Sequence, residues 1–318
     1  MKNQVLLCVT ILLLSACHTT SDSSEANVAR VTVVNPIQRP AFSSDSCFAQ
    51  ILAQTRFGSR VPNSDAHEAC RAYLVRQLES YGAVVQQQPC QLVAWDGNVL
   101  QSTNITASFR PDAKNRVLLC AHWDSRPWAD EDSDPAQVRT PILAANDGAS
   151  GVAVLLEIAR NLGVQQPRVG VDIVLFDAED YGISEEENSF CLGSQYWAAK
   201  ARESGYKASY GILLDMVGDK NAVFYKDIVS NYFAPSVVKK VWDKAAEMGY
   251  GSLFVDAEGG SLIDDHYYVN RLAGIPCIDI IHYDAGFPAT WHTSHDTPDA
   301  ISKKVLYAVG SVVMELLY

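Results

Sequence analysis

Apolar residues follow two different patterns along this chain. Between residues 65 and 82 they recur every three or four positions and stop at a glycine, which predicts an amphipathic surface helix. From residue 116 onwards, short apolar runs alternate with helical stretches. Strands that are apolar on both faces and separated by helices are typical of a mostly parallel sheet covered on both sides. The pattern therefore predicts an α/β sandwich.

The predicted elements also locate the candidate chemistry. The sequence indicates strands at 116–120, 170–176, 210–217 and 275–282, and helices at 151–162, 194–203 and 302–317. In such a sheet, ligands bind beyond the carboxyl ends of the strands. The polar or aromatic residues that follow those ends are His122, Asp124, Asp177, Glu179, Asp180, Asp215, Trp291 and His292.

The first forty residues have the pattern of an export signal and a tether. Residues 1–16 combine Lys2, an apolar run and small residues, and residues 14–17 (LSAC) resemble a bacterial lipobox that predicts a lipid on Cys17. An ordinary signal peptide cleaved near Ala16 is the alternative. Residues 17–40 predict a flexible linker, which leaves 41–318 for a single catalytic domain. We therefore expect a periplasmic or cell-envelope lipoprotein that contacts the membrane only through its anchor.

Composition and charge narrow the functional classes. The formal net charge is −12, and no cluster of lysine or arginine interrupts the acidic balance, so nucleic acid is not an expected partner. The hydrophobic content of 48% is sufficient for one large core.

The cysteines do not indicate a metal site, because no C-x-x-C pair occurs. Cys70 and Cys90 form a conceivable disulfide in an oxidising compartment, and buried free thiols are the alternative. The cysteines of the folded part are Cys47, Cys70, Cys90, Cys120, Cys191 and Cys277.

Three residues together suggest a catalytic metal centre. Asp147 precedes a predicted helix, where a helix cap is its simpler role. The adjacent acids Glu179 and Asp180 follow a buried strand, where their charges require a cation or a proton unless they form a solvated turn. His292 alone is more often a structural histidine. With Asp147 and Asp180, however, it completes the two-oxygen, one-nitrogen set of a zinc site with an open fourth position.

Six blocks of sequence carry polar residues of the candidate site: HWDS at 122–125, NDGASG at 146–151, FDAED at 176–180, LLDMVG at 213–218, DDH at 264–266 and WHTSHD at 291–296. These blocks and their order resemble the M28 family of zinc aminopeptidases. Within the family the chain is most similar to the glutaminyl cyclases: Trp291 stands directly before His292, Phe287 lies in the approach GFPATW, and DDH stands where many peptidases have Ser-Asp-His.

This resemblance implies a fold and an activity. The fold is a three-layer sandwich of the zinc-exopeptidase type, with a mixed, mostly parallel central sheet flanked by helices. The activity is the conversion of N-terminal glutamine on exported peptides and proteins to pyroglutamate with release of ammonia. One zinc ion would polarise the side-chain carbonyl and stabilise its oxyanion.

The resemblance also implies residue roles. Asp147, Asp180 and His292 hold the zinc, and Glu179 is the proton shuttle. Asp215 and Asp264 belong to its hydrogen-bond network, with Asp265 as the alternative to Asp264. We expect Trp291 and Phe287 to form an apolar wall that binds substrate, with simple core packing as the alternative, and His122 and Asp124 to support the site.

Two features depart from the family pattern: Asp180 stands where peptidases usually carry glutamate, and residues 266–274 are one residue longer.

Two other functions remain open. A zinc aminopeptidase with two metals would use the set His122, Asp147, Asp180, Asp215 and His292. A catalytically inactive surface-binding domain of the same fold is disfavoured, because a binder has no need for several costly buried carboxylates. In either enzyme, the long loops at 128–140 and 184–190 are expected to shape substrate access.

Overall fold

A six-stranded sheet runs through the computed structural model, which describes residues 40–186 and 188–318. Its strands lie in the order β1, β2, β4, β3, β5, β8; the first two pairings are antiparallel and the other three are parallel. The predicted mixed, mostly parallel sheet is therefore confirmed. The strands are β1 Val84–Val93, β2 Val99–Phe109, β3 Arg116–His122, β4 Gly170–Phe176, β5 Tyr210–Asp215, β6 Phe224–Lys226, β7 Phe254–Glu258 and β8 Cys277–Ile281, with β6 and β7 forming a separate small sheet.

Helices cover both faces of the large sheet. Along β3, Val117 and Leu119 pack in the core shared with α3 and α8, whereas Leu118 and Cys120 pack in a second core shared with α4. This alternation gives the three predicted layers. The helices are α1 Ser44–Thr55, α2 Asp65–Ser80, α3 Ala149–Val164, α4 Leu192–Ser204, α5 Ile228–Phe233, α6 Pro235–Glu247, α7 Asp265–Tyr268 and α8 Lys303–Glu315.

All the strands and helices predicted from the pattern are confirmed, each within a few residues at its ends. A π-helical turn, Val269–Ala273, follows α7. A π turn holds one more residue than an α-helical turn in the same place, so it can accommodate the extra residue of the 266–274 stretch.

The conceivable disulfide between Cys70 and Cys90 does not form. All six cysteines of the described residues are free thiols, and five of them are buried. Cys70 belongs to the main core, whereas Cys90 packs against a smaller cluster that contains Leu92 and Leu100. The two thiols therefore serve different cores.

The predictions for the leader lie outside the described residues. They concern the signal peptide at 1–16, the acylated Cys17 and all but the last residue of the linker. Within the described residues, no helix combines the length and apolar character that crossing a bilayer requires.

Candidate active site

The strand ends and three loops meet at a cavity of about 200 Å³. β3 ends at His122, β4 leads into the loop with Glu179 and Asp180, and β5 ends at Asp215. The sequence-predicted residues on the cavity wall are Asp147, Glu179, Asp180, Asp215, Asp264, Phe287, Trp291 and His292.

Asp147, Asp180 and His292 come together with the geometry of a metal centre. All three are buried, and one ligand atom from each lies within 4.8 Å of the others. His292 Nε2 is 3.3 Å from Asp180 Oδ1 and 3.7 Å from Asp147 Oδ2. Tetrahedral zinc ligands at 2.0–2.1 Å lie about 3.3 Å apart. Asp180 Oδ2 is also buried without a hydrogen-bond partner, so the residues present fit a zinc ion.

The local backbone directs Asp147 into the site. The carboxylate of Asp296 accepts the N–H groups of Asn146 and Asp147 at 2.7 and 3.0 Å. At Gly148, a Cβ atom would lie 2.4 Å from the carbonyl oxygen of His122, so only glycine fits. Helix α3 begins without a side-chain cap, so the simpler role of Asp147 as a helix cap is wrong.

His122 forms a second group with Asp147 and Asp215. Its Nε2 is 2.9 Å from Asp147 Oδ1 and 3.3 Å from Asp215 Oδ1. Its Nδ1 is 3.5 Å from Asp124, whose carboxylate accepts the N–H groups of Glu179 and Asp180. His122 and Asp124 therefore connect the ends of β3 and β4 around the metal centre.

Glu179 contacts different residues from Asp180, which faces Arg126 and His292. The thiol of Cys191 donates to Glu179 Oε1 at 3.2 Å and lies 3.9 Å from Asp264 Oδ1. Asp264 reaches the cavity wall, whereas Asp265 is fully buried and does not line it. The geometry thus favours Asp264 over Asp265 as the residue near the shuttle candidate.

Burial and the close approach of several carboxylates raise the pKa of Glu179 and Asp215 in this pocket. Burial, together with the charges of Asp180 and Asp264, raises the pKa of Glu179 well above its ordinary value, against the opposing effect of His122. Burial and the charge of Asp147 also raise the pKa of Asp215 to about 7. Such an excess of negative charge is relieved by a bound cation.

The pKa of His292 is raised as well, but for an imidazole a raised pKa favours the charged form. Burial disfavours its charged form, but the carboxylates of Asp180 and Asp130 outweigh that effect and raise the pKa of His292 to about 9. Without a metal the imidazole therefore holds a proton at neutral pH, and a metal ion would displace that proton from the ligating nitrogen.

The two predicted substrate-binding residues form an aromatic row with the histidine. The ring of Phe287 stacks on Trp291 with centroids 4.1 Å apart, and Trp291 stacks on His292 at 3.6 Å. Phe287 is 36% exposed at the rim, which leaves its ring accessible to a bound molecule. This row forms an apolar wall beside the three candidate metal ligands.

The sequence pattern predicts no role for Arg126, Asp130 or Cys191, although all three contact residues of the site. Arg126 is buried and contacts both Asp180 and Asp130, and Asp130 also contacts His292. The position of Arg126, two residues after the H-x-D pair, was a usable signal, because a buried arginine beside metal-binding acids requires partners. Cys191 is a single cysteine in the loop before α4, and the surrounding sequence does not indicate a function for it.

The predicted access loops also reach the site. The loop at 128–140 contributes Asp130 and Glu131 to the cavity wall. The loop at 184–190 contributes Ser184 and Phe190. Both loops are thus placed where they can limit what enters.

Comparisons with known proteins agree on the fold and on a zinc-dependent family. The sequence profile of peptidase family M28 matches residues 104–317. The crystal structure of a Bacteroides thetaiotaomicron glutaminyl cyclase bound to N-acetylhistamine is 50% identical, covers 88% of this chain and 99% of its own, and superposes with a TM-score of 0.87. A Zn-dependent exopeptidase from Parabacteroides distasonis is 48% identical over 88% of this chain and 99% of its own, with a TM-score of 0.87. The glutaminyl-peptide cyclotransferase of Gloydius blomhoffii is 23% identical over 86% of this chain and 84% of its own length.

Proposed function

The chain belongs to peptidase family M28, and within that family we propose that it is a zinc-dependent glutaminyl cyclase. It converts the N-terminal glutamine of peptides and proteins to pyroglutamate and releases ammonia. One observation carries this proposal: Asp147, Asp180 and His292 can hold a zinc ion beside Glu179, in a cavity whose wall includes Trp291.

The reaction requires one proton to move between two nitrogens. The α-amine nitrogen of the substrate bonds to the carbon of its own side-chain amide, and the bond from that carbon to the amide nitrogen breaks. Glu179 accepts a proton from the attacking amine and returns it to the departing nitrogen, which leaves as ammonia. Cys191 holds Oε1 of Glu179, so Oε2 remains for the substrate. Shuttling of this kind contributes about 10² to 10⁴ in rate.

The cavity wall also favours ring closure. The aromatic row of Phe287 and Trp291 offers an apolar surface against which the glutamine side chain folds back towards its amine. Asp215 and Asp264 place carboxyl oxygens on the cavity wall, where they can accept hydrogen bonds from the substrate's α-amine. When bound, zinc supplies a Lewis acid for the side-chain carbonyl oxygen.

We propose one zinc ion per chain. His122 Nε2 and Asp147 Oδ1 are 2.9 Å apart, a hydrogen-bond distance that leaves no room for an ion between them. The ligand atoms of Asp180 and His292 are 3.3 Å apart, as tetrahedral zinc requires. The competing di-zinc aminopeptidase is favoured by one observation, the grouping of His122, Asp147 and Asp215 within metal-binding distance.

We also propose that the chain is exported and anchored to the cell envelope through a lipid on Cys17. The support is the sequence LSAC at 14–17 after an apolar run. Mass spectrometry of the mature N-terminus tests this proposal. An unmodified N-terminus produced by cleavage near Ala16 would contradict acylation and leave export intact.

A single pair of assays separates the candidate functions. The purified mature protein is incubated with a Gln-initiated dipeptide and with an aminopeptidase substrate, and ammonia and free amino acid are measured, together with zinc per chain. We expect ammonia release with one zinc. Release of free amino acid with two zinc ions would establish the aminopeptidase, and no turnover of either substrate would favour the binding domain.

A further inference from the structure

A chain of charged and hydrogen-bonding side chains links two of the three zinc ligands. Arg126 Nη1 lies 3.1 Å from Asp180 Oδ1. The same guanidinium donates to both oxygens of Asp130, at 2.7 and 2.5 Å. Asp130 Oδ1 lies 3.5 Å from His292 Nδ1. Asp180 and His292 are therefore connected through Arg126 and Asp130, in addition to facing each other directly.

Arg126 is fixed firmly enough to position Asp180. Its side chain is 3% exposed, and it also donates to the backbone carbonyls of Asp180 and Gly182 at 3.2 Å each. The rings of Trp128 and Phe190 lie 5.5 Å from the guanidinium carbon. Arg126 donates to Oδ1 of Asp180, the same oxygen that lies 3.3 Å from His292 Nε2, so the guanidinium holds the carboxylate facing His292.

Asp130, at the other end of this row of side chains, contacts His292. The Nε2 of His292 faces Asp180 and Asp147, and Asp130 Oδ1 lies 3.5 Å from Nδ1, where the carboxylate can attract the Nδ1–H group and fix the orientation of the ring. The backbone strengthens this contact: Glu131 N–H donates to the carbonyl of His292 at 3.1 Å. The segment 126–132 is thus attached to both ligand loops.

We propose that Arg126 and Asp130 are positioning residues that hold Asp180 and His292 at the separation required by one zinc ion. This inference rests on the zinc site of the proposed function. The two residues act through the ligands: Arg126 holds the Asp180 carboxylate facing His292, and Asp130 holds the imidazole so that Nε2 faces Asp180 and Asp147.

The test measures zinc affinity, which does not depend on the substrate. Zinc dissociation constants of the mature protein are obtained by competition with a chelator for wild type, Asp130→Asn and Arg126→Lys. Asn keeps the shape of Asp130 and removes its charge, and Lys keeps a charge without the planar fork. We expect each variant to bind zinc about 10- to 100-fold more weakly. The Asp130 side chain is 38% exposed, so Asp130→Asn is expected to fold.

The fork between Arg116 and Asp172 provides the matched control. Arg116 donates to both oxygens of Asp172 at 2.6 and 2.5 Å, at the start of β3 and away from the ligands. Arg116→Lys and Asp172→Asn should leave zinc affinity unchanged, even if the unfolding temperature falls.

Three outcomes overturn the inference. If Asp130→Asn and Arg126→Lys bind zinc as tightly as wild type, the positioning role is wrong and the proposed function stands. If the control variants lose as much affinity, the effect is general destabilisation. If the wild-type protein binds no zinc, the proposed function fails as well.

Discussion

His122 and His292 stand on opposite sides of Asp147, and each faces a different oxygen of its carboxylate. His122 lies 2.9 Å from Oδ1, within hydrogen-bond distance, whereas His292 lies 3.7 Å from Oδ2, beyond it. The Nε2 of His122 is already hydrogen-bonded to the carboxylate, whereas the Nε2 of His292 is held at a separation that an ion can fill. Two histidines beside one carboxylate can therefore serve different purposes, and the distance from each imidazole to the carboxylate oxygen distinguishes them where the residue type does not.

Replacing His292 should have the largest effect on zinc binding, because His292 is the histidine proposed to bind the ion. His292→Ala removes a ligand. Zinc affinity should therefore fall by more than roughly 100-fold, the upper end of the loss expected for replacing a residue that only positions a ligand, and cyclisation should be lost. Chelator competition and metal analysis measure the effect. The matched control is His67→Ala, because His67 is also buried and bonded to a carboxylate, Asp177, but lies outside the three ligands. Full zinc content in His292→Ala would refute its assignment.

Replacing Glu179 should separate chemistry from metal binding. Glu179→Gln keeps the size of the side chain but cannot accept a proton, so kcat should fall about 10²- to 10⁴-fold while zinc content stays at the wild-type value. Steady-state kinetics with a Gln-initiated dipeptide and metal analysis of the same sample check both parts. An active Glu179→Gln enzyme would mean that another residue moves the proton.

Replacing His122 should have a smaller effect than replacing His292. His122→Asn removes the bond that orients Asp147, so zinc affinity should fall about tenfold and the ion should still bind. Leaving Asp147 Oδ1 without its partner should also lower the free energy of unfolding by about 1–3 kcal/mol. Zinc titration and chemical denaturation give the two values. Loss of one of two bound zinc ions in this variant would instead support the aminopeptidase.

Replacing Cys191 should have the smallest effect. Cys191→Ala removes one hydrogen bond to Glu179, so kcat should fall about two- to tenfold with zinc affinity unchanged. Cys191→Ser should retain part of the activity because its hydroxyl can donate. Cys47→Ala, at a buried thiol of the main core, is the control. Equal rates for Cys191→Ala and wild type would show that the thiol does not position the carboxylate.

The sequence was informative where periodicity and burial coincide. Strands such as β4 are apolar at nearly every position and buried throughout, so their pattern identifies them directly. The apolar pattern does not predict the hairpin of β1 and β2, because β1 carries four glutamines and a proline among its ten residues and only Leu92 is buried. Its stability comes from pairing with β2 and from packing below, which the local sequence does not contain.

Some residues of the candidate site could likewise be predicted from the sequence, and others could not. Its acids and histidines follow strand ends, so topology alone predicts that they converge. The roles of Arg126 and Cys191 depend on contacts between loops that are 54 and 12 residues apart in the chain. Such contacts follow from the folded path of the loops, and no local pattern marks them.

The position of Asp147 between two histidines has an evolutionary consequence. The separation of His122 Nε2 and Asp147 Oδ1 is shorter than the spacing of two zinc ligands by only about 0.4 Å, so a slight displacement of one imidazole would open a second binding position. A descendant could then gain or lose an ion without changing any ligand. Residue motifs alone would therefore misclassify members of such a lineage, and activities can diverge on it while the ligand residues stay the same.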